Sequence, residues 1–119
     1  MEELGPVERV EAIMRIIAGK WKPAIVYALV KEGPLRFVEL RHRIPKVSQR
    51  MMTQQLRDLE RYGIVEREYH AEIPPRVVYS VTPLGRSLDP IFKSVCDWGS
   101  DHFSAMERAR VRFEKRKQQ

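Results

Sequence analysis

At Gly63 the apolar residues of this chain change their period from about 3.6 residues to 2, and few folds of this size accommodate both halves of that pattern. After Gly63, Ile64, Glu66 and Glu68 alternate with Val65, Arg67 and Tyr69. Further on, Val77, Tyr79 and Val81 alternate with Val78, Ser80 and Thr82. The seven residues between the runs, 70–76, include Pro74 and Pro75, which stiffen a loop and keep it out of a strand. A set of helices carrying one β-hairpin is therefore expected.

The helix just before that change is the most informative. Ser48 is suited to cap a helix start, no Gly or Pro occurs over 49–62, and Gly63 suits a C-terminal stop. At about 100° per residue, Met51, Met52, Gln55, Leu56, Leu59 and Tyr62 share one side, and Arg50, Thr53, Gln54, Arg57 and Arg61 the other. Asp58 and Glu60 flank the second side. Arg can donate two hydrogen bonds to guanine, Gln can pair with adenine, and Thr can meet a base edge or a thymine methyl. That is the chemistry of a helix that reads a major groove; an arginine-rich surface helix without a partner is the alternative.

The preceding segment bears on the choice. Residues 35–44 have helical spacing, with Phe37, Val38, Leu40 and Ile44 expected inward and Arg36, Arg41 and Arg43 outward. Pro45-Lys46-Val47 then interrupts, and Ser48 starts the next helix at once. Helix, tight turn and helix is the spacing of a helix-turn-helix, whose second helix enters the groove. A structural three-helix bundle could share the spacing but has no need of the arginines. With the hairpin attached, the arrangement is a winged helix whose tip, ending at Arg76, suits a phosphate or a minor groove.

On either side lie more helices. Val7, Val10, Ile13, Met14, Ile16 and Ile17 follow Pro6, and Ile25, Val26, Leu29 and Val30 follow Pro23 up to Gly33-Pro34. Thr82-Pro83 opens a C-terminal helical stretch that Pro90 kinks or divides, with Leu84, Leu88, Ile91, Phe92, Val95 and Trp98 on an apolar face. So much apolar surface on so small a domain suits pairing with a second copy; folding back onto the same domain is the alternative. The expected class is mainly α with a small β-hairpin (α+β), a single winged-helix domain over 1–119. It comprises N-terminal helices (6–32), helix-turn-helix (35–62), wing (64–82) and C-terminal dimerisation helices (83–115).

Charge supports a polyanionic partner by its placement more than by its total. The net charge is +6, of which residues 36–76 carry +3 (nine basic against six acidic) and 108–119 carry +5. Within 36–50, Arg36, Arg41, Arg43, Lys46 and Arg50 face only Glu39, and this excess leads into the reading helix. Other chemistry is poorly served. Cys96 is the only cysteine, expected as a small buried hydrophobe beside Phe92, Val95 and Trp98. His42, His70 and His102 lack ligand spacing, so neither a metal nor another cofactor is expected. No nucleophile and base form a motif, no glycine-rich phosphate loop occurs, and an enzyme is not expected. No apolar run reaches the roughly 20 residues of a membrane span, and the acidic N-terminus is unlike a secretory signal, so a cytoplasmic protein is expected.

In order along residues 6–99, the motifs Gly19-Lys20-Trp21-Lys22, Gly33-Pro34-Leu35-Arg36-Phe37-Val38-Glu39-Leu40 and Ile44-Pro45-Lys46-Val47-Ser48 occur. They are followed by Leu56-Arg57-Asp58-Leu59-Glu60, Gly63-Ile64-Val65-Glu66-Arg67, Pro74-Pro75-Arg76-Val77-Val78-Tyr79, Thr82-Pro83-Leu84-Gly85 and Trp98. The ordered set resembles the HxlR-type winged helix-turn-helix transcriptional regulators of bacteria and archaea, relatives of the MarR-type proteins. The resemblance implies a homodimer on a roughly palindromic operator, with residues 48–62 in the major groove and 74–76 in the wing. Oxidant- or aldehyde-sensing members resemble one another in a cysteine just before the first helix; here that place is Gly5, which argues against such a switch. A small-molecule effector at the dimer interface, or no effector, is then implied.

The expected function is that of a sequence-specific regulator binding double-stranded DNA. Arg50, Thr53, Gln54 and Arg57 are the candidates for base contact, and Ser48, Gln49, Arg36, Lys46 and Arg76 for phosphate contact and register. A winged-helix module that binds an acidic protein instead of DNA is the alternative, because arginine faces suit both.

Overall fold

The computed structural model describes residues 3–118, which fall into two compact units, the first ending at Asp89 and the second beginning at Pro90. In the first, α1 spans Pro6–Ile17 and α2 spans Lys22–Glu32, each with proline in its first turn, where a missing N–H costs nothing. One helix was expected over 35–44, but Leu35 and Arg36 form a short strand, β1, and helix α3 is confined to Phe37–Arg43. Arg36 is extended (φ −76°, ψ 161°), and its N–H donates to Glu39 Oε1 at 2.8 Å, which fixes the start of α3. Val38, expected inward, is 61% exposed while Leu40 is fully buried. Two residues apart on a helix are about 200° apart, so the two cannot face one core.

Helix α4 covers Gln49–Arg61, and the hairpin consists of β2 (Val65–His70) and β3 (Arg76–Val81). The three strands form an antiparallel sheet in the order β1-β3-β2. Val65 stands opposite Val81 and His70 opposite Arg76, while Leu35 and Arg36 stand opposite Tyr79 and Val78. The wing is thereby hydrogen-bonded, through β1, to the residue that begins α3.

The core of this unit is made by Ile25, Val26 and Leu29 of α2, Leu40 of α3, Val47 of the turn, and Met52, Leu56 and Leu59 of α4, all essentially without exposure. Each such side chain contributes about 1.5–3 kcal/mol relative to an exposed position. Leu35, Ile64, Val65, Tyr79 and Val81 extend the core along the sheet. One joint explains two sequence motifs. After α4 the chain reverses at Gly63 (φ 72°), a left-handed conformation that glycine adopts without strain. Thr82 Oγ1 then donates to the Gly63 carbonyl and accepts from the Gly85 N–H at 3.0 Å, capping α5 (Pro83–Arg86). A Cβ on Gly85 would collide with the Ile64 carbonyl, so α5 sits against the start of the hairpin only with glycine there.

The second unit is essentially one helix, α6, spanning Asp89–Lys117 with Pro90 in its first turn. Pro90 thus begins a new helix after α5, as its missing N–H favours. None of the residues of α6 is buried. Ile91, Val95, Trp98 and Met106, all exposed, fall with His102 within an arc of about 100°, and the Trp98 and His102 rings stack at 4.5 Å. Cys96 was expected to be buried and is exposed. Its apolar neighbours Val95 and Trp98 are themselves 63% and 52% exposed, so they provide no core to enclose it.

Candidate nucleic-acid interface

The turn between α3 and α4 is held from three directions. Val47 is buried in the core, Arg41 donates through a terminal guanidinium nitrogen to the Val47 carbonyl at 3.3 Å, and Ser48 Oγ accepts from the Met51 N–H at 3.0 Å. The last contact satisfies one of the donors that a helix start leaves without partners, worth about 1 kcal/mol. With Met52, Leu56 and Leu59 in the core, α4 has no freedom to rotate about its axis, and the opposite face is fixed outward.

That face carries Arg50, Thr53, Gln54, Arg57 and Arg61, all exposed, within an arc of about 100°. The neighbouring acids are occupied. Asp58 pairs with Lys22 of α2 and, at 3.0 Å, with Arg61; Glu60 pairs with Arg67 of β2 at 3.3 Å. Arg61 is therefore engaged, whereas among the described residues Arg50 and Arg57 have no carboxylate partner. Two unpaired guanidinium groups about two helical turns apart, with the Gln54 amide between them in sequence, remain available to an acceptor-rich partner. Thr53 differs slightly from expectation: its hydroxyl donates to the Gln49 carbonyl at 2.9 Å, leaving its acceptor capacity and methyl for contact.

The other candidates are distributed around this face. Ser48 and Gln49 lie exposed at the start of α4, Lys46 is exposed in the turn, and Arg36 is exposed in β1. Arg43, counted in the local basic excess, is not available: it forms a two-pronged pair with Glu32 of α2, both oxygens at 3.0 Å from Nε. The hydrogen bond from Arg43 holds the Glu32 carboxyl below its usual value and raises the guanidinium in turn.

Arg76 is the first residue of β3, half-buried at the base of the wing loop, and bonds Glu72 at 3.1 Å. The loop tip instead presents Ile73, fully exposed, between the alternating strands. Nothing in the sequence singles out Ile73; its place in the middle of a loop whose residues 71–75 are all exposed is what distinguishes it. Apolar side chains at such tips can wedge between bases in a minor groove.

No cluster of His, Cys, Asp or Glu able to hold a metal occurs among the described residues. Nor is any described helix long and apolar enough to cross a membrane.

Residues 16–107 match the family described as HxlR-like helix-turn-helix. The chain is 45% identical over 100 residues to an uncharacterised HTH-type transcriptional regulator of Methanothermobacter thermautotrophicus, spanning 84% of this chain and 76% of that one. It is equally similar, 45% over 104 residues, to the uncharacterised HTH-type transcriptional regulator YdeP of Bacillus subtilis, spanning 85% of this chain and 80% of that one. Among solved structures, that of the redox regulator HypR in its reduced form matches with a TM-score of 0.79 at 42% identity, covering 84% of this chain and 98% of that one.

Proposed function

The chain belongs to the HxlR-like helix-turn-helix family and is a transcriptional regulator, not an enzyme; from that premise we propose that it binds double-stranded DNA sequence-specifically as a homodimer. The observation that carries this reading is the exposed face of α4, where Arg50, Gln54 and Arg57 are left unpaired while Asp58 and Glu60 are neutralised by Lys22, Arg61 and Arg67. Arg50, Thr53, Gln54 and Arg57 contact base edges in the major groove. Ser48, Gln49, Arg36 and Lys46 hold phosphates, and the wing, with Ile73 at its tip and Arg76 at its base, lies along the minor groove.

Dimerisation is supported by apolar surface without cover in the single chain. On α1, Val7, Val10 and Met14 are 76%, 59% and 48% exposed, and on α6 the stripe from Ile91 to Met106 is exposed throughout. A second copy would cover both and set two reading helices about 34 Å apart, one turn of duplex, on a roughly palindromic operator. An apolar cleft of about 220 Å³, lined by Ile13, Ile16 and Ile17 of α1 with Tyr62, Ile64 and Leu84, is of a size for a small effector. It touches Tyr62, the residue that ends α4, so an occupant there would act on the reading helix. The regulator works in the cytoplasm, where its operator is.

Selection of bound duplex from fragmented genomic DNA by the purified protein tests the reading. The expected result is enrichment of a sequence with internal two-fold symmetry, bound by two chains per duplex. Absence of enrichment at low salt, or binding by one chain, contradicts it.

A further inference from the structure

The last part of α6 carries charge that the reading helix and wing do not explain. Residues 108–117 hold six basic residues against one acid, Glu114, and lie beyond residue 107, where the match to the family stops. The segment is helical to Lys117 and exposed throughout. Its cations are not evenly spread. At about 100° per residue, Lys115, Arg108, Arg112 and Arg116 fall in that angular order within an arc of about 100°, over about 12 Å of helix length. Their side chains bound shared grooves on the helix surface, Arg108 and Arg112 together with Glu107 and Val111, and Arg112 with Lys115 and Arg116.

The acids nearby do not neutralise this stripe. Glu107 is bonded by Arg110, at 3.0–3.3 Å, and Arg110 holds its carboxyl below the usual value. Among the described residues none of the four stripe cations has a carboxylate partner. A solvated helix face ordinarily alternates acids and bases at i,i+4 spacing; here positions 108, 112 and 116, in succession at that spacing, are all arginine.

We infer that Arg108, Arg112, Lys115 and Arg116 form a second phosphate-binding surface, by which the end of α6 holds the backbone of the DNA that the chain regulates. This rests on the DNA-binding reading above and adds to it a contact outside the helix-turn-helix and wing. Arginine matches phosphate oxygens in bidentate fashion, and its planar, pre-organised guanidinium loses little freedom for each hydrogen bond it forms. An acidic protein is less well suited, because a stable protein interface has an apolar centre, and Val111, at the edge of the stripe, is the single apolar side chain that lines these grooves. The contact carries no sequence information; it adds affinity that salt removes.

The test compares the full chain with the variant Arg108→Gln/Arg112→Gln/Lys115→Gln/Arg116→Gln, titrated against the selected operator duplex at salt concentrations from 50 to 200 mM. Glutamine preserves helix propensity, and circular dichroism with analytical ultracentrifugation establishes that the variant folds and associates as the parent does. Each phosphate engaged contributes about 0.9 to the slope of log affinity against log salt, so two phosphates per chain in a dimer contribute about 3.6. The parent is thus expected to lose about 100-fold more affinity than the variant over that range. A variant slope equal to the parent's overturns the stripe while leaving the helix-turn-helix reading intact. A parent that retains no duplex at any salt overturns both. A variant that keeps the parent's slope but no longer binds anionic vesicles or an acidic polypeptide that the parent binds overturns the assignment to DNA.

Discussion

Lys22 Nζ meets Asp58 Oδ2 at 2.5 Å, with the two side chains 12% and 27% exposed, so the start of α2 is tied to the last turn of the reading helix. The pair fixes the position of α4 and cancels a negative charge beside the face proposed to meet DNA. Removing one partner from a largely enclosed pair leaves an uncompensated charge. Lys22→Met is expected to cost about 1–3 kcal/mol in urea unfolding, below the cost of a fully buried pair because water reaches both groups. Lys22→Met/Asp58→Leu should recover most of that loss. A double variant as unstable as the single one would show that the pair is not what couples the helices.

Arg76 is held by Glu72, so the wing keeps its cation partly neutralised. Glu72→Gln should free it and steepen the salt dependence of DNA binding on every sequence, whereas Arg76→Ala, which removes one phosphate contact from each chain of the dimer, should lower the slope by about 1.8. Titrations against operator and scrambled duplex should agree within error for both variants. A loss confined to the operator would assign Arg76 to base reading instead.

Stability should depend on pH through Glu32. Hydrogen bonding from Arg43 lowers the folded-state pKa of Glu32 below its ordinary 4.5. The stabilisation is present above the unfolded value and is lost as pH falls through the folded one. The difference in urea midpoint between the parent and Glu32→Gln should therefore be constant from neutrality to about pH 5 and vanish in more acid solution. An unchanged difference down to pH 2 would contradict the pairing.

Two small residues lie on either side of the reading helix and wing in the sequence. Ser48→Ala removes the cap of α4 and should cost about 1 kcal/mol. Gly85→Ala drives a methyl into the Ile64 carbonyl and should cost about 1–3 kcal/mol, since backbone rather than a flexible side chain must move. Denaturant titration measures both; a neutral Gly85→Ala would mean that α5 can shift without disturbing the hairpin.

What could be read from the sequence was what is local. The caps at Ser48 and Thr82 and the reversal at Gly63 are set by residues a few positions apart and take the expected form; on the packing side of α4, Met52, Leu56 and Leu59 are buried as expected, but Tyr62, at its end, is 44% exposed. Strand β1 could not be read, because two residues have no periodicity and Leu35 and Arg36 become extended only by pairing with β3, more than 40 positions later. For the same reason the arginine face was legible as composition but not as availability. Arg43 is committed to Glu32, which depends on where α2 packs, and Arg61 to Asp58 one turn away in the same helix, while among the described residues Arg50 and Arg57 have no carboxylate partner. Cys96 was misplaced because apolar neighbours in sequence were taken for a core, whereas α6 has no buried residue.

The most direct test of the account is the affinity of Arg50→Ala for the selected operator and for a scrambled duplex of equal length, measured by fluorescence anisotropy at fixed salt. The account predicts a loss of about 1–3 kcal/mol per half-site on the operator with discrimination relaxed at one base pair in each half-site, and a much smaller loss on the scrambled duplex. Equal losses on the two would mean that α4 does not read bases, and would contradict the assignment of its exposed face.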